Sequence, residues 1–286
     1  MPELPEVEHL CRHLRSSIQD ATITEVHLRR PGIVNPGEKR SRASSRDLLL
    51  DGTICNLERK GKQLAIEVED GRILCIHLGM SGRVQVIKRN ESVDLEPHTH
   101  CTWLLHGAPE AREIRFVDPR RFGGLWTLCS REKLLSTRWD QLGPDALIVN
   151  PDILARRLSG RSRGLKSALL DQGVVAGLGN IYVDETLFRA GLNPRQPAGT
   201  LKPDEIQCLV TEMVGILQEA IRMGGSTIRT WLDSSGKKGD FASTHRVYGR
   251  SGCLCVSCGQ LLKDKIIAQR QTVWCSKCQP LRRRRR

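Results

Sequence analysis

Met1-Pro2-Glu3-Leu4-Pro5-Glu6-Val7-Glu8 opens the chain. Proline fixes φ near the helical value and suits a first helical turn, where acidic side chains also meet the positive end of the helix dipole. Leu4, Val7, Leu10, Cys11, Leu14 and Ile18 recur at helical spacing, which predicts a helix to about Asp20 with one buried face. The octet also admits a chemical reading. Removal of Met1 would leave Pro2 with a free secondary amine, and an α-amino pKa of roughly 7.7–8.0 keeps a useful fraction unprotonated near neutral pH. Such an amine can attack an electrophilic carbon and form an iminium. Glu3 stands beside it as a candidate proton donor, and Glu6 lies one turn further on. Taken alone, the octet is better explained as a helix start.

From residue 23 the period changes to two. Ile23 to Leu28 is an expected strand, and Leu64, Ile66 and Val68 alternate with polar residues before an Asp70-Gly71 turn. Ile73 to Leu78 returns. Arg83 to Lys88, Cys101 to His106, Glu113 to Asp118 and Gly124 to Cys129 complete a run of short strands, the pattern of a sandwich or barrel. Residues 1–130 are therefore expected as a β-sandwich with one flanking helix. The stretch 131–149 carries little period beyond a short helix at Arg131 to Trp139 and is read as the connection between domains. From Asn150 the pattern is helical: Asn150-Pro151-Asp152 caps one helix, Leu165 to Gln172 forms another, Asn180 caps a third, and Pro203 opens the longest. The expected class is α+β in two domains, with 150–234 helical, 235–281 a loop end and cysteine module, and 282–286 a basic tail.

Lysine and arginine number 45 against 32 acidic residues, a formal charge of +13. That balance points to a polyanionic partner, with nucleic acid the default. No run of about 18 apolar residues and no signal-like start is present, so a membrane is not the expected partner and a soluble, intracellular protein is. Seven of the eleven cysteines are scattered singly. The other four form Cys255-Val-Ser-Cys258 and Cys275-Ser-Lys-Cys278, sixteen residues apart, a zinc-site spacing. Two such turns close a tetrahedron of thiolates with no open position, so one structural Zn2+ is expected. A redox pair or unrelated thiols is the alternative. Cys253 lies too close to Cys255 for the usual turn, and Leu261 to Val273 suits a β-hairpin.

Other stretches have bland and functional readings side by side. Gly173-Val-Val-Ala-Gly177-Leu-Gly179-Asn180 runs into a helix, where exposed backbone N–H groups can hold phosphate; taken alone, an ordinary helix–helix turn is the better explanation. His77-Leu78-Gly79-Met80-Ser81-Gly82 and Asp118-Pro119-Arg120-Arg121-Phe122-Gly123 read as tight turns, and Gly61-Lys62 precedes the cleanest strand.

In combination, and in this order along residues 1 to about 279, the octet, these turns and the cysteine ribbon resemble the formamidopyrimidine-DNA glycosylases, a bacterial-type family of repair enzymes. The resemblance implies a monomeric, cytoplasmic glycosylase and lyase acting on damaged double-stranded DNA, with a helix–two-turns–helix element and a C-terminal zinc finger. It implies Pro2 as nucleophile on the sugar, Glu3 as its acid and Glu6 in support, with Lys62 and Arg270 assisting the eliminations that cut both sides of the sugar. Lys166 and Asn180 would contact phosphate, with Arg161 and Arg163 as basic neighbours, and His98 would contact DNA. The target base would be flipped into a cleft between the domains. Met80, Arg120 and Phe122 would fill the space it leaves. By that resemblance the substrates are oxidised purines. Two rivals stand beside it: an endonuclease VIII-like enzyme for oxidised pyrimidines, and a DNA-binding homologue without catalysis. Asp240-Phe241 departs from the aromatic pair common in the loop that covers the flipped base, and the arginine tail Arg282 to Arg286 is extra.

Overall fold

A computed structural model describes residues 2–36, 44–226, 236 and 239–282. Met1, most of the loop expected to cover the base, and residues 283–286 of the basic tail lie outside the described residues. The chain divides into two compact units, Met1–Gln141 with Ile221–Asp240, and Leu142–Ala220 with Phe241–Arg286. The expected domain limits shift accordingly. The stretch 131–149 is not one connection, because Arg131 pairs with Glu58 and Lys60 donates to the Trp139 carbonyl (2.9 Å), which fastens 131–139 to the first unit. Residues 221–226 also belong there rather than with the helices before them.

In the first unit, helix α1 (Leu4–Ile18) turns Leu4, Val7, Leu10, Leu14 and Ile18 inward. Two antiparallel-rich sheets share its core. One has the order β1 (Thr22–Leu28), β7 (Thr99–His106), β8 (Ala111–Val117), β6 (Arg83–Lys88). The other runs β2 (Val34–Pro36), β9 (Gly124–Leu128), β5 (Ile73–His77), β4 (Gln63–Val68), β3 (Ile54–Lys60), with β2 and β9 parallel. Val7, Leu10 and Leu14 of the helix join Leu64, Ile66, Trp103, Ile114 and Phe116 of the sheets in one buried cluster. That is the expected sandwich with its flanking helix, drawn from period-two strands whose inner faces are apolar. A short helix α2 (Arg131–Leu134), capped by the Ser130 hydroxyl, runs on into a wider turn at Leu135–Trp139.

The second unit is helical: α3 (Pro151–Leu158), α4 (Leu165–Leu169), α5 (Asn180–Arg189) and α6 (Pro203–Arg222), the last crossing into the first unit at its end. Asn150 caps α3 through its side chain, accepting from Ile153 N–H at 2.9 Å. Asn180 does not cap α5; Gly179 takes that position and Asn180 is the first helical residue. A β-hairpin of β10 (Lys263–Ile267) and β11 (Arg270–Trp274) ends the unit. Its two-residue turn, Ala268-Gln269, has φ of 49° and 58°. Phe188 of α5 packs with Val247, Leu262, Val273 and Cys275, joining hairpin to helix. Among the described residues, no helix is long and apolar enough to cross a membrane.

Candidate active site and metal centre

The start of α1 is built around Glu6. Its side chain is 1% exposed. One carboxylate oxygen accepts the Glu3 N–H at 2.7 Å and the other accepts the Ser226 N–H at 2.7 Å. Glu3 is equally buried, and Pro2 is buried in the chain that carries Met1. Gly225, with φ of 84°, leaves no room for a side chain: a Cβ there would stand 2.7 Å from Glu6 Oε1. The first turn of α1 and the segment following α6 are thus held by one carboxylate, which fixes the backbone on which Glu3 sits.

Lys62 lies in the tight turn between β3 and β4, where Gly61 takes φ of 58°. Gln63, the next residue, pairs with His77 on β5. Burial, then the cations Lys62 and Arg138, lower His77 to about 4. His77 Nδ1 accepts the Gly79 N–H at 3.2 Å, so the neutral ring carries its proton on Nε2. The Arg138 guanidinium stacks over Trp126 at 3.9 Å and its Nε donates to Gln63 at 3.3 Å. Lys62 and His77 therefore stand together on an electropositive corner of the second sheet.

A second group forms where the two turns meet. Asp118, fully buried, accepts from the Ser81 hydroxyl (2.6 Å) and from Gly123 N–H (2.8 Å). Ser81 Oγ in turn accepts the Arg120 N–H at 3.1 Å. The Asp118 carbonyl meets His100 Nε2 at 2.8 Å, and its N–H donates to the His98 carbonyl at 3.1 Å. A Cβ on Gly79 would lie 2.3 Å from the Phe122 backbone, so the turns are in direct main-chain contact. The Asp118 carboxylate thereby fastens the turns bearing Met80, Arg120 and Phe122, and its main chain holds the segment bearing His98. Phe122 is 57% exposed with the Arg120 guanidinium 4.9 Å from its ring centre, while His98 is exposed and Met80 half-buried. A large apolar ring in that exposure is available to an outside surface rather than to the core.

In the second unit the four cysteines converge. Cys255 and Cys278 sulfurs lie 3.9 Å apart, Cys258 and Cys275 sulfurs 3.5 Å, and all four within 4.8 Å of one another. A tetrahedral ion with metal–sulfur bonds of about 2.3 Å needs sulfurs about 3.8 Å apart, so the cluster fits a metal ion. Cys253 stays exposed and outside it.

The residues expected at phosphates fall differently. Arg270 is exposed at the first position of β11. Asn180 Nδ2 donates to the Gln271 carbonyl at 2.9 Å, and its Oδ1 is buried with no hydrogen-bond partner among the described residues. Arg161 donates back to the Arg157 carbonyl (2.6 Å), and Arg163 pairs with Asp171 (2.5 Å). Lys166, expected at a phosphate, is instead buried. Its side chain is 0% exposed, its ammonium 2.7 Å from the equally buried Asp184 and 3.2 Å from the Gln271 carbonyl. A phosphate has no surface of Lys166 to meet in this arrangement.

Sequence reasoning passed over His77, Asp118 and Asp184. The first two lie inside quoted motifs, where a polar residue at the edge of a glycine turn was the available signal. Asp184 carried none, since its partner sits 18 residues back on another helix. Glu185 was missed as well: it is 1% exposed and accepts the N–H groups of Arg246, Val247 and Tyr248 at 2.8–3.0 Å, fixing that turn on α5. Phe241, half of the departing Asp240-Phe241 pair, is buried against Tyr182 with ring centres 5.6 Å apart.

Residues 1–125 match the model of the formamidopyrimidine-DNA glycosylase N-terminal domain, and residues 142–231 the model of the formamidopyrimidine-DNA glycosylase H2TH domain. The formamidopyrimidine-DNA glycosylase of Geobacillus kaustophilus is 40% identical over 281 residues, covering 98% of this chain and all of that protein. The crystal structure of the MutM (Fpg) protein of Thermus thermophilus superposes with a TM-score of 0.84 at 35% identity, over 99% of this chain and all of that one. A Lactococcus lactis Fpg variant, solved in complex with Fapy-dG containing DNA, gives a TM-score of 0.86 at 30% identity over 98% of this chain and all of that one.

Proposed function

We propose, from the premise that the chain belongs to the formamidopyrimidine-DNA glycosylase family, that it excises oxidised purines from duplex DNA and then cuts the strand through a Schiff base on Pro2. The family consists of bifunctional DNA glycosylase/AP lyases. Damaged DNA is the bound partner of the Lactococcus lactis relative. The single observation that carries the reading is the double grip of Glu6 on Glu3 N–H and Ser226 N–H, which fixes an acid beside the residue that becomes the N-terminus.

Loss of Met1 frees the Pro2 nitrogen. Its lone pair forms a bond to the sugar C1′ while the C1′–base bond breaks, and the proton lost from the attacking amine goes to the departing base. The nitrogen lone pair then expels the ring oxygen: the C1′–O4′ bond breaks, Glu3 gives its proton to O4′ to leave a hydroxyl, and C1′ becomes the carbon of an iminium to Pro2. The iminium acidifies the neighbouring sugar C–H, so successive β- and δ-eliminations release the two phosphates. Lys62 and the Nε2–H of neutral His77 meet a backbone phosphate, and Arg270, carried by the other unit, assists the second elimination. His98, Arg120, Asn180 and Arg161 bind DNA, while Met80 and Phe122, with Arg120, occupy the gap left by the extruded base. One structural zinc on Cys255, Cys258, Cys275 and Cys278 holds the hairpin, and the protein works as a cytoplasmic monomer.

Borohydride trapping tests this. The Met1-processed protein should form a covalent adduct on an 8-oxoguanine duplex, and Pro2→Gly should abolish it. An adduct confined to an oxidised-pyrimidine duplex would overturn the purine assignment. No adduct on either, from folded and metal-loaded protein, would remove Pro2 from its role.

A further inference from the structure

Arg270 leaves the tight Ala268-Gln269 turn as the first residue of β11, with its side chain exposed. What fixes it must act through the residues that follow. The next carbonyl, Gln271, receives two donors from the helices: Lys166 Nζ at 3.2 Å and Asn180 Nδ2 at 2.9 Å. Two residues further on, the Val273 N–H donates to Asp184 Oδ2 at 3.2 Å. Lys166 and Asp184 are themselves joined at 2.7 Å, Lys166 on α4 and Asp184 on α5, both 0% exposed at their side chains. The pair therefore grips one edge of β11 at an acceptor and at a donor, on both sides of buried Thr272.

A buried ammonium and carboxylate are costly to desolvate and contribute little net stability compared with apolar residues of similar size. Burial raises Asp184 to about 7 despite the adjacent ammonium. What such a pair supplies is direction. Its charge-assisted bonds are short and geometrically demanding, and here each partner also bonds the main chain of the strand that carries Arg270.

We infer that Lys166 and Asp184 are positioning residues that set the place of Arg270 through the Gln271 carbonyl and the Val273 N–H. This rests on the reading of Arg270 as the group assisting the second elimination. The pair does not touch DNA; it determines how often the Arg270 guanidinium stands where the second leaving phosphate departs. The first half of the reaction, carried by Pro2 and Glu3 on the other unit, does not depend on it.

The experiment compares full-length, metal-loaded wild type with Lys166→Met, Asp184→Asn, the double variant Lys166→Met/Asp184→Leu, and Arg270→Ala. The substrate is a duplex holding a preformed abasic site. Three quantities are read: borohydride-trapped adduct, the ratio of δ- to β-elimination product, and amide exchange across residues 270–273. The double variant removes both charges together and strands neither, so it carries the test should a single variant fail to fold. The expected result for the pair variants is adduct yield within about twofold of wild type, a δ/β ratio lowered about tenfold, and faster exchange in β11. A ratio unchanged in folded pair variants but lowered in Arg270→Ala overturns the positioning role alone. A ratio unchanged in Arg270→Ala as well overturns the assignment of Arg270, and the positioning role with it.

Discussion

Replacing Asp118 with alanine removes the carboxylate that fastens two turns of the first unit. Its two oxygens accept from Ser81 Oγ at 2.6 Å and Gly123 N–H at 2.8 Å in a fully buried position. Hydrogen bonds to a charged group contribute about 1.5–3 kcal/mol each, and a donor left buried without a partner costs about 1–3 kcal/mol. Two lost bonds give about 3–6 kcal/mol, and rotation of the Ser81 hydroxyl to another acceptor brings the expectation to about 3–4 kcal/mol. Asp118→Asn should cost only about 1–2 kcal/mol, because its amide oxygen can accept from Gly123 while its NH2 donates to Ser81 Oγ. Urea unfolding measures both, with the midpoint moving and the slope unchanged. The same variants should weaken capture of a lesion duplex more than binding to undamaged duplex, since Arg120, Phe122 and Met80 lose their common anchor while the basic surface is intact. A loss under about 1 kcal/mol for Asp118→Ala, or an asparagine variant less stable than the alanine one, would show that the Asp118 carboxylate does not anchor these turns.

Gly225→Ala combines a left-handed backbone with a Cβ 2.7 Å from Glu6 Oε1, so it should destabilise by about 2 kcal/mol or more and cut adduct formation, read by thermal unfolding and trapping side by side. His77 titrates at about 4 in the folded chain against an ordinary value near 6.5. The unfolded chain therefore binds the extra proton between those values, and stability falls as pH drops through that window, by at most about 3 kcal/mol. Glutamine at residue 77 should flatten that part of the stability–pH curve, and an identical slope in His77→Gln would exclude the histidine as its source. Asn-Gly in place of Ala268-Gln269 should raise hairpin stability by about 1 kcal/mol, because both turn residues hold positive φ; an unchanged unfolding midpoint would argue that the turn carries no such strain.

Periodicity made α1 and the β4–β5 hairpin readable, since Leu64, Ile66 and Val68 alternate without interruption and Asp70-Gly71 marks the reversal. The strand β3 escaped, and the reason is a register irregularity between Ile54 and Asn56 that breaks the alternation, followed by the polar run Glu58-Arg59-Lys60. The Ala268-Gln269 turn bears neither glycine nor asparagine and gave no local signal, although its flanking strands pair residue for residue. The cysteine cluster was readable because a metal knuckle is a local object with fixed spacing. Lys166 was misplaced for the opposite reason. A lysine's exposure depends on a distant partner, and the buried Asp184 that accommodates it is a property of helix packing, not of the residues around position 166.

The main-chain contact between Gly79 and Phe122 has an evolutionary consequence. Two turns distant in the chain share a junction too narrow for even a methyl group. Lengthening or shortening either turn shifts that junction, so indels accepted in one must be answered in the other. Across related sequences the lengths of the two turns should covary, and grafting one of them into another scaffold without its mate should fail.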